Sequence, residues 1–134
     1  MSTLDQRRAA LAFDHVSELD GEARRADAKK YASIVHKLPA LLTSAGLCQA
    51  LHFVESRKDE QRAHQKKLVD HLANQLERID PQITSAAKLL ERARRAELAD
   101  YLRLTEEAFA CAAWYRRMVQ AVLKMEAADA DRDD

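Results

Sequence analysis

Along this chain apolar residues return at spacings of three and four, the period at which a helix buries one face. The pattern predicts about six helical segments. Thr3, with Gln6 three residues on, gives a capping-box signature for a first helix over 4–19 whose apolar positions are Leu4, Leu11, Val16 and Leu19. Gly21 follows as the residue best suited to a C-terminal turn. A second helix over 22–44 carries Tyr31, Ile34, Val35, Leu38, Leu41 and Leu42, a stripe that runs on to Ala45.

Pro39 and Gly46 interrupt that stripe. Proline lacks an amide hydrogen and crowds the carbonyl four residues back, so a kink or a restart is expected at Pro39. Thr43 and Ser44 compete for backbone hydrogen bonds, Gly46 suits a left-handed helix end, and Leu47, Leu51 and Val54 resume the stripe directly. The expectation is a helix, a sharp corner and a short third helix folded back onto the core. A fourth helix over 59–79 turns Leu68, His71, Leu72, Leu76 and Ile79 inward. Asp80 as N-cap and Pro81 at the first helical position open a fifth, which runs to 95 with Ile83, Ala87 and Leu90 on its apolar face. The last helix has the clearest period: Tyr101, Leu104, Ala108, Cys111, Tyr115, Met118, Val122 and Met125 alternate in steps of three and four. Leu98, Leu102, Phe109, Ala112, Val119 and Leu123 widen its arc, which then calls for partners on more than one side and puts this helix at the centre of a bundle.

Composition agrees with the pattern. Two glycines, two prolines and few aromatics in 134 residues favour helix over strand throughout. A chain of this length buries roughly two-thirds of its unfolded surface, enough for a core without staples. The expected fold class is all-α: a compact single-domain bundle over 1–125, then an acidic tail over 126–134 whose five acids and one arginine are the composition of a disordered segment.

The charge balance, 22 basic against 22 acidic residues, at first argues against a nucleic-acid partner. Without the tail the balance is 21 basic against 17 acidic, and the excess sits in local runs at 24–30, 57–67, 88–95 and 115–118. A scattered basic surface of this kind follows a phosphate backbone, or is simply the solvated mixed-charge face that helices commonly show.

Little in the sequence points to catalysis. Two glycines cannot build a phosphate-cradling loop. His15, His36, His52, His64 and His71 stand in no HExxH or paired Glu-x-x-His arrangement, so structural or surface roles are expected and no metal. Cys111, on the apolar stripe, reads as a small buried hydrophobe; Cys48, just past the corner, has no histidine partner assignable from sequence. The two cysteines form no CxxC pair, which suggests neither a disulfide framework nor zinc and fits a reducing, cytoplasmic setting. No apolar run approaches the ~20 residues that cross a bilayer, and a soluble chain with no membrane partner is expected. The helix–corner–helix over 36–53 raises a helix-turn-helix reader, but its second helix offers only Gln49, His52 and Glu55 to base edges. No enzyme and no cofactor is indicated.

Two blocks, KKYASIVHKLPALLTSAGLCQALHF over 29–53 and YLRLTEEAFACAAWYRRMVQAVL over 101–123, resemble the small all-helical subunit of type III-B, or Cmr-type, CRISPR effector complexes. Tyr31, Leu38, Pro39, Gly46, Leu47, Gln49, Phe53, Tyr101, Leu102, Thr105, Ala108, Trp114, Arg116 and Arg117 follow that family's pattern in order. Ala45, Cys48 and Cys111 depart from it, standing where Asn, Gly and Trp are usual. The resemblance covers about a third of the chain. It implies a non-catalytic building block, several copies stacking head to tail beside the subunits that hold the guide RNA and helping to hold target RNA against the guide. The partners so implied are other Cmr-type subunits, further copies of the chain and the guide–target RNA duplex. RNA-facing residues are then expected among Lys29, Lys30, Lys37, Arg57, Lys58, Arg116 and Arg117, near the two blocks. Arg116 and Arg117 point ~100° apart on a helix, so one rather than both is expected at the centre of a contact. The alternatives are the small subunit of a type III-A complex and a helical DNA-binding or adaptor protein.

Overall fold

Among the residues that the computed structural model describes, 2–56 and 62–127, five α-helices follow one another without a strand. They are α1 (Leu4–Ser17), α2 (Arg25–Ser56), α3 (Arg62–Leu76), α4 (Ala86–Arg95) and α5 (Leu98–Ala121), with a 3₁₀ turn at Glu22–Arg24. The all-α class stands; α2 consists of two helical segments that meet at a break at Gly46, so the expected helix–corner–helix is present and the count of five takes the two as one element. The helices bury one connected cluster of apolar side chains. Both α3 and α5 pack against all four of the other helices, so the long C-terminal helix shares the centre with α3.

The start of α1 follows its sequence signal. Gln6 N–H donates to Thr3 Oγ1 at 3.1 Å while Thr3 N–H donates to Gln6 Oε1 at 2.8 Å, the reciprocal capping box. The helix stops at Ser17, and Leu19 is buried from the turn that follows. Pro39 does not restart α2: only Gly46 leaves helical dihedrals, and Thr43 Oγ1 donates to the Pro39 carbonyl at 3.0 Å. The corner therefore belongs to the glycine alone.

Helix α4 corrects the sequence reading. Its N-cap is Ser85, whose hydroxyl accepts from Lys88 N–H at 3.2 Å. Asp80 instead accepts from Gln82 N–H and from Arg92 Nε, the latter at 2.7 Å, and so ties the preceding turn to α4. A start five residues later changes the buried face from Ile83, Ala87 and Leu90 to Ala86, Leu89 and Ala93, with Ile83 buried from the turn.

Helix α5 ends at Ala121, short of the expected 125. The chain doubles back with Lys124 at φ 59°, and Met125 N–H donates to the Val119 carbonyl at 3.1 Å, which brings Met125 into the core from outside the helix. Arg25 and His36 of α2 hold this return by donating to the carbonyls of Leu123 and Met125, each at 3.2 Å. A second correction concerns the breadth of α5. Ala112, Val119 and Leu123 are buried as expected, but Leu98, Leu102 and Phe109 are 72%, 54% and 36% exposed.

Several polar groups inside the bundle are paired across helices. Arg8 of α1 grips the buried Glu107 of α5 with two parallel bonds, Nε to Oε2 at 2.6 Å and the terminal nitrogen to Oε1 at 2.7 Å, and Arg78 adds a third contact at 3.3 Å. These bonds hold the Glu107 carboxyl below its ordinary value against the opposing effect of burial. Beside it, the His15 and His71 rings stack with centroids 4.0 Å apart. Tyr115 Oη lies 2.6 Å from His15 Nδ1, and Tyr31 Oη lies 2.7 Å from His71 Nδ1. Residues 128–134 of the expected acidic tail lie outside the described residues.

Candidate nucleic-acid interface

The two blocks that carry the family resemblance meet at one hydroxyl. Gly46 adopts φ 83°, ψ 167°, positive in φ as expected but extended in ψ, a combination essentially reserved to glycine. The helix that resumes at Leu47 leaves its first amides without intrahelical acceptors. Tyr101 of α5 supplies one, accepting from Cys48 N–H at 3.1 Å through its hydroxyl. A Cβ on Gly46 would sit 3.5 Å from that same oxygen, an ordinary contact, so the dihedrals and not the space require glycine. Thr105 Oγ1 donates to the Tyr101 carbonyl at 2.8 Å one turn on. Gly46, Tyr101 and Thr105 thus act together, a cap reaching from one helix to another.

Four other block residues have structural placements too. Tyr31, Leu38 and Leu47 are buried in the core, and Trp114 Nε1 donates to Asp5 Oδ1 at 2.8 Å, joining α5 to the start of α1. Tyr101→Phe, which keeps the ring and removes the acceptor, is expected to cost about 1 kcal/mol. The check is urea unfolding: the midpoint falls with the slope unchanged, and an unmoved midpoint would mean that water caps Cys48 as well.

Cys48 does have a histidine beside it, one turn along α2. His52 Nδ1 lies 3.8 Å from Cys48 Sγ but only 2.8 Å from the Cys48 carbonyl, to which it donates, and His52 Nε2 accepts from Arg94 at 3.1 Å. Both ring nitrogens are engaged, so the imidazole is not placed to take the thiol's proton. The i, i+4 spacing was the signal that could have found the pair. Cys111 is buried 3.5 Å from Glu107 Oε2, and burial first, then that carboxylate, pushes its thiol far up. Among the described residues no group of three or more His, Cys, Asp or Glu side chains could hold a metal ion. Nor is any described helix long and apolar enough to cross a membrane.

The basic candidates separate into two places. Lys29, Lys30 and Lys37 stand on α2, the first two half-buried and the third exposed. Lys30 and Lys37, seven residues apart, share one face of that helix roughly 10 Å from each other along its axis. Arg116 and Arg117 are exposed on α5. Both line a groove of about 480 Å³ together with Phe109, Ala113 and Gln120 of the same helix and Pro39 of α2. The groove spans an arc of α5 broad enough to take both arginines despite their divergence. No carboxylate lines it. Arg57 and Lys58 lie outside the described residues. Sequence reasoning missed Phe109 and Gln120 as groove residues, because Phe109 fits the apolar arc of α5 equally well as a core position.

A family model described as CRISPR-associated protein (Cas_Cmr5) matches residues 4–122. The CRISPR system Cmr subunit Cmr5 of Thermus thermophilus is 42% identical over 125 residues, covering 92% of this chain and 99% of its own length. A crystal structure of a CRISPR-associated Cmr5 family protein from Thermus thermophilus matches the fold with a TM-score of 0.76 at 40% identity, again over 92% of this chain and 99% of that one.

Proposed function

The chain belongs to the CRISPR-associated Cmr5 family, and from that premise we propose that it is a non-catalytic small subunit that helps hold target RNA against the guide RNA in a type III-B effector complex. Membership selects this reading over the type III-A subunit and over the DNA-binding or adaptor protein. Several copies stack head to tail beside the guide-holding subunits, in the cytoplasm, and the complex serves antiviral defence. The observation that carries the RNA-holding role is the groove in which Arg116 and Arg117 stand without a carboxylate. Cations that meet phosphates without reading bases suit a subunit whose complex takes its sequence specificity from guide pairing.

In this reading Lys29, Lys30, Lys37, Arg57 and Lys58 supply further cations for phosphates. Reversing Lys29, Lys30, Arg57 and Lys58 to glutamate together is expected to weaken retention of target RNA by the assembled complex. The dependence of log affinity on log salt should flatten by about one unit for each residue that meets a phosphate. An unchanged salt slope in the assembled complex would remove these lysines and arginines from the contact.

A further inference from the structure

Charge alone does not account for the groove between α2 and α5. Arg116 and Arg117 form no ion pair among the described residues, so the bridge to a neighbouring helix that would make them structural is absent there. Lining the groove with them and Pro39 is Phe109, an aromatic ring left 36% exposed on a helix whose opposite side is buried. A patch that only followed phosphates would need no ring. At about 480 Å³ the groove is in the size range of small-ligand sites. Its chemistry combines two guanidinium groups, two flat apolar surfaces from Phe109 and Pro39, and an amide from Gln120. The Gln120 Nε2 donates to Glu126 at 3.0 Å, which leaves the amide oxygen as acceptor.

We propose that this groove takes one unstacked nucleotide of the target RNA, its base lying on the Phe109 ring and its phosphates on Arg116 and Arg117. This deepens the RNA-holding reading and rests on it. Stacking tolerates any base because every base has a π face, so the site adds affinity without sequence preference. The guanidinium pair gives the phosphates on either side of that base a fixed anchor.

The test uses the assembled complex, purified through the tagged chain and loaded with a target RNA carrying 4-thiouridine, followed by photo-cross-linking and mapping of the attached peptides by mass. Cross-links within 109–120 are the expected result. Phe109→Leu, apolar but without a ring, should leave assembly intact and lower both cross-linking and retention of target RNA about ten-fold, while Phe109→Tyr should retain both. Cross-links confined to other parts of the chain would overturn the groove proposal and leave RNA holding in place. No cross-link to the chain at all would overturn both. Loss of partner subunits in Phe109→Leu with RNA retention per complex unchanged would make the groove a protein interface and end the proposal.

Discussion

Glu107→Ala is expected to lower the unfolding free energy by about 3–5 kcal/mol, the usual cost of removing one partner from a buried ion pair. Glu107 is 5% exposed, and both of its carboxylate oxygens are occupied by Arg8, at 2.6 and 2.7 Å. Without it the Arg8 guanidinium keeps only Asp5 at 3.2 Å, a surface carboxylate that is 62% exposed and screened by water. Arg78, the third donor to Glu107, loses its contact at the same time and retains only Gln75, at 2.7 Å. A domain of this size is stable by roughly 5–15 kcal/mol in total, so the loss is a large share of the whole. Equilibrium urea unfolding reads it as a lower midpoint. The companion measurement is the double variant Arg8→Met with Glu107→Leu, which removes both charges and keeps the volume. It should fall less than Glu107→Ala, because the Arg8 guanidinium is no longer stranded and only that of Arg78 is left without its carboxylate. If the double variant is as unstable as the single, packing at that point and not the ion pair joins α1 to α5.

That pair could not be read from the sequence, and the reason is physical. Arg8 and Glu107 lie 99 residues apart, and each by itself looks like a solvated charge on a helix face. What was legible is local. The Thr3–Gln6 capping box, the stripe of Tyr31, Ile34, Val35, Leu38 and Leu42, and the period of α5 depend on neighbours within one or two turns. Where two local signals compete the choice was misread: Asp80–Pro81 and Ser85 both fit a helix start, and the bond from Arg92 to Asp80 takes the first out of contention. Pro39 and Gly46 were both candidates for the corner, and α2 runs through the proline because only the glycine can reach φ 83°, ψ 167°. The groove shows the same limit. Arg116 and Arg117 were singled out by their charge, but Phe109 beside them was assigned to the core because the width of an amphipathic arc does not reveal which edge meets a partner.

Acid should destabilise the protein from below about pH 6.5, well before its carboxylates titrate, and His71 should account for much of the effect. The ring is buried against His15 and bonded to Tyr31, and burial, with lesser contributions from His15 and Lys67, pushes its pKa down from 6.5 to about 3. His15 is lowered as well, chiefly by burial, with Asn74, Glu18 and Asp14 opposing. Burial raises Tyr31 and Tyr115 far above the ordinary phenol value, so both keep their protons and donate to neutral imidazoles. The unfolded chain takes up a proton at His71 below pH ~6.5 while the folded chain does not until near pH 3, so stability falls as pH drops through that window. The contribution from His71 is roughly 2 kcal/mol between pH 6.5 and 5. Glu107 acts in the same sense but later: its folded pKa lies below 4.5, so its stabilisation is complete above that value and is lost beneath it. The interval from pH 7 to 5 therefore isolates the histidines. His71→Gln, which keeps an acceptor for the Tyr31 hydroxyl and cannot titrate, should start less stable at pH 7 and then lose about 2 kcal/mol less than the wild type by pH 5. Urea midpoints measured at half-unit steps across that interval give the comparison. Parallel curves for the two proteins would place the acid sensitivity elsewhere, with His15 and its bonds to Tyr115 and Asn74 the next group to vary.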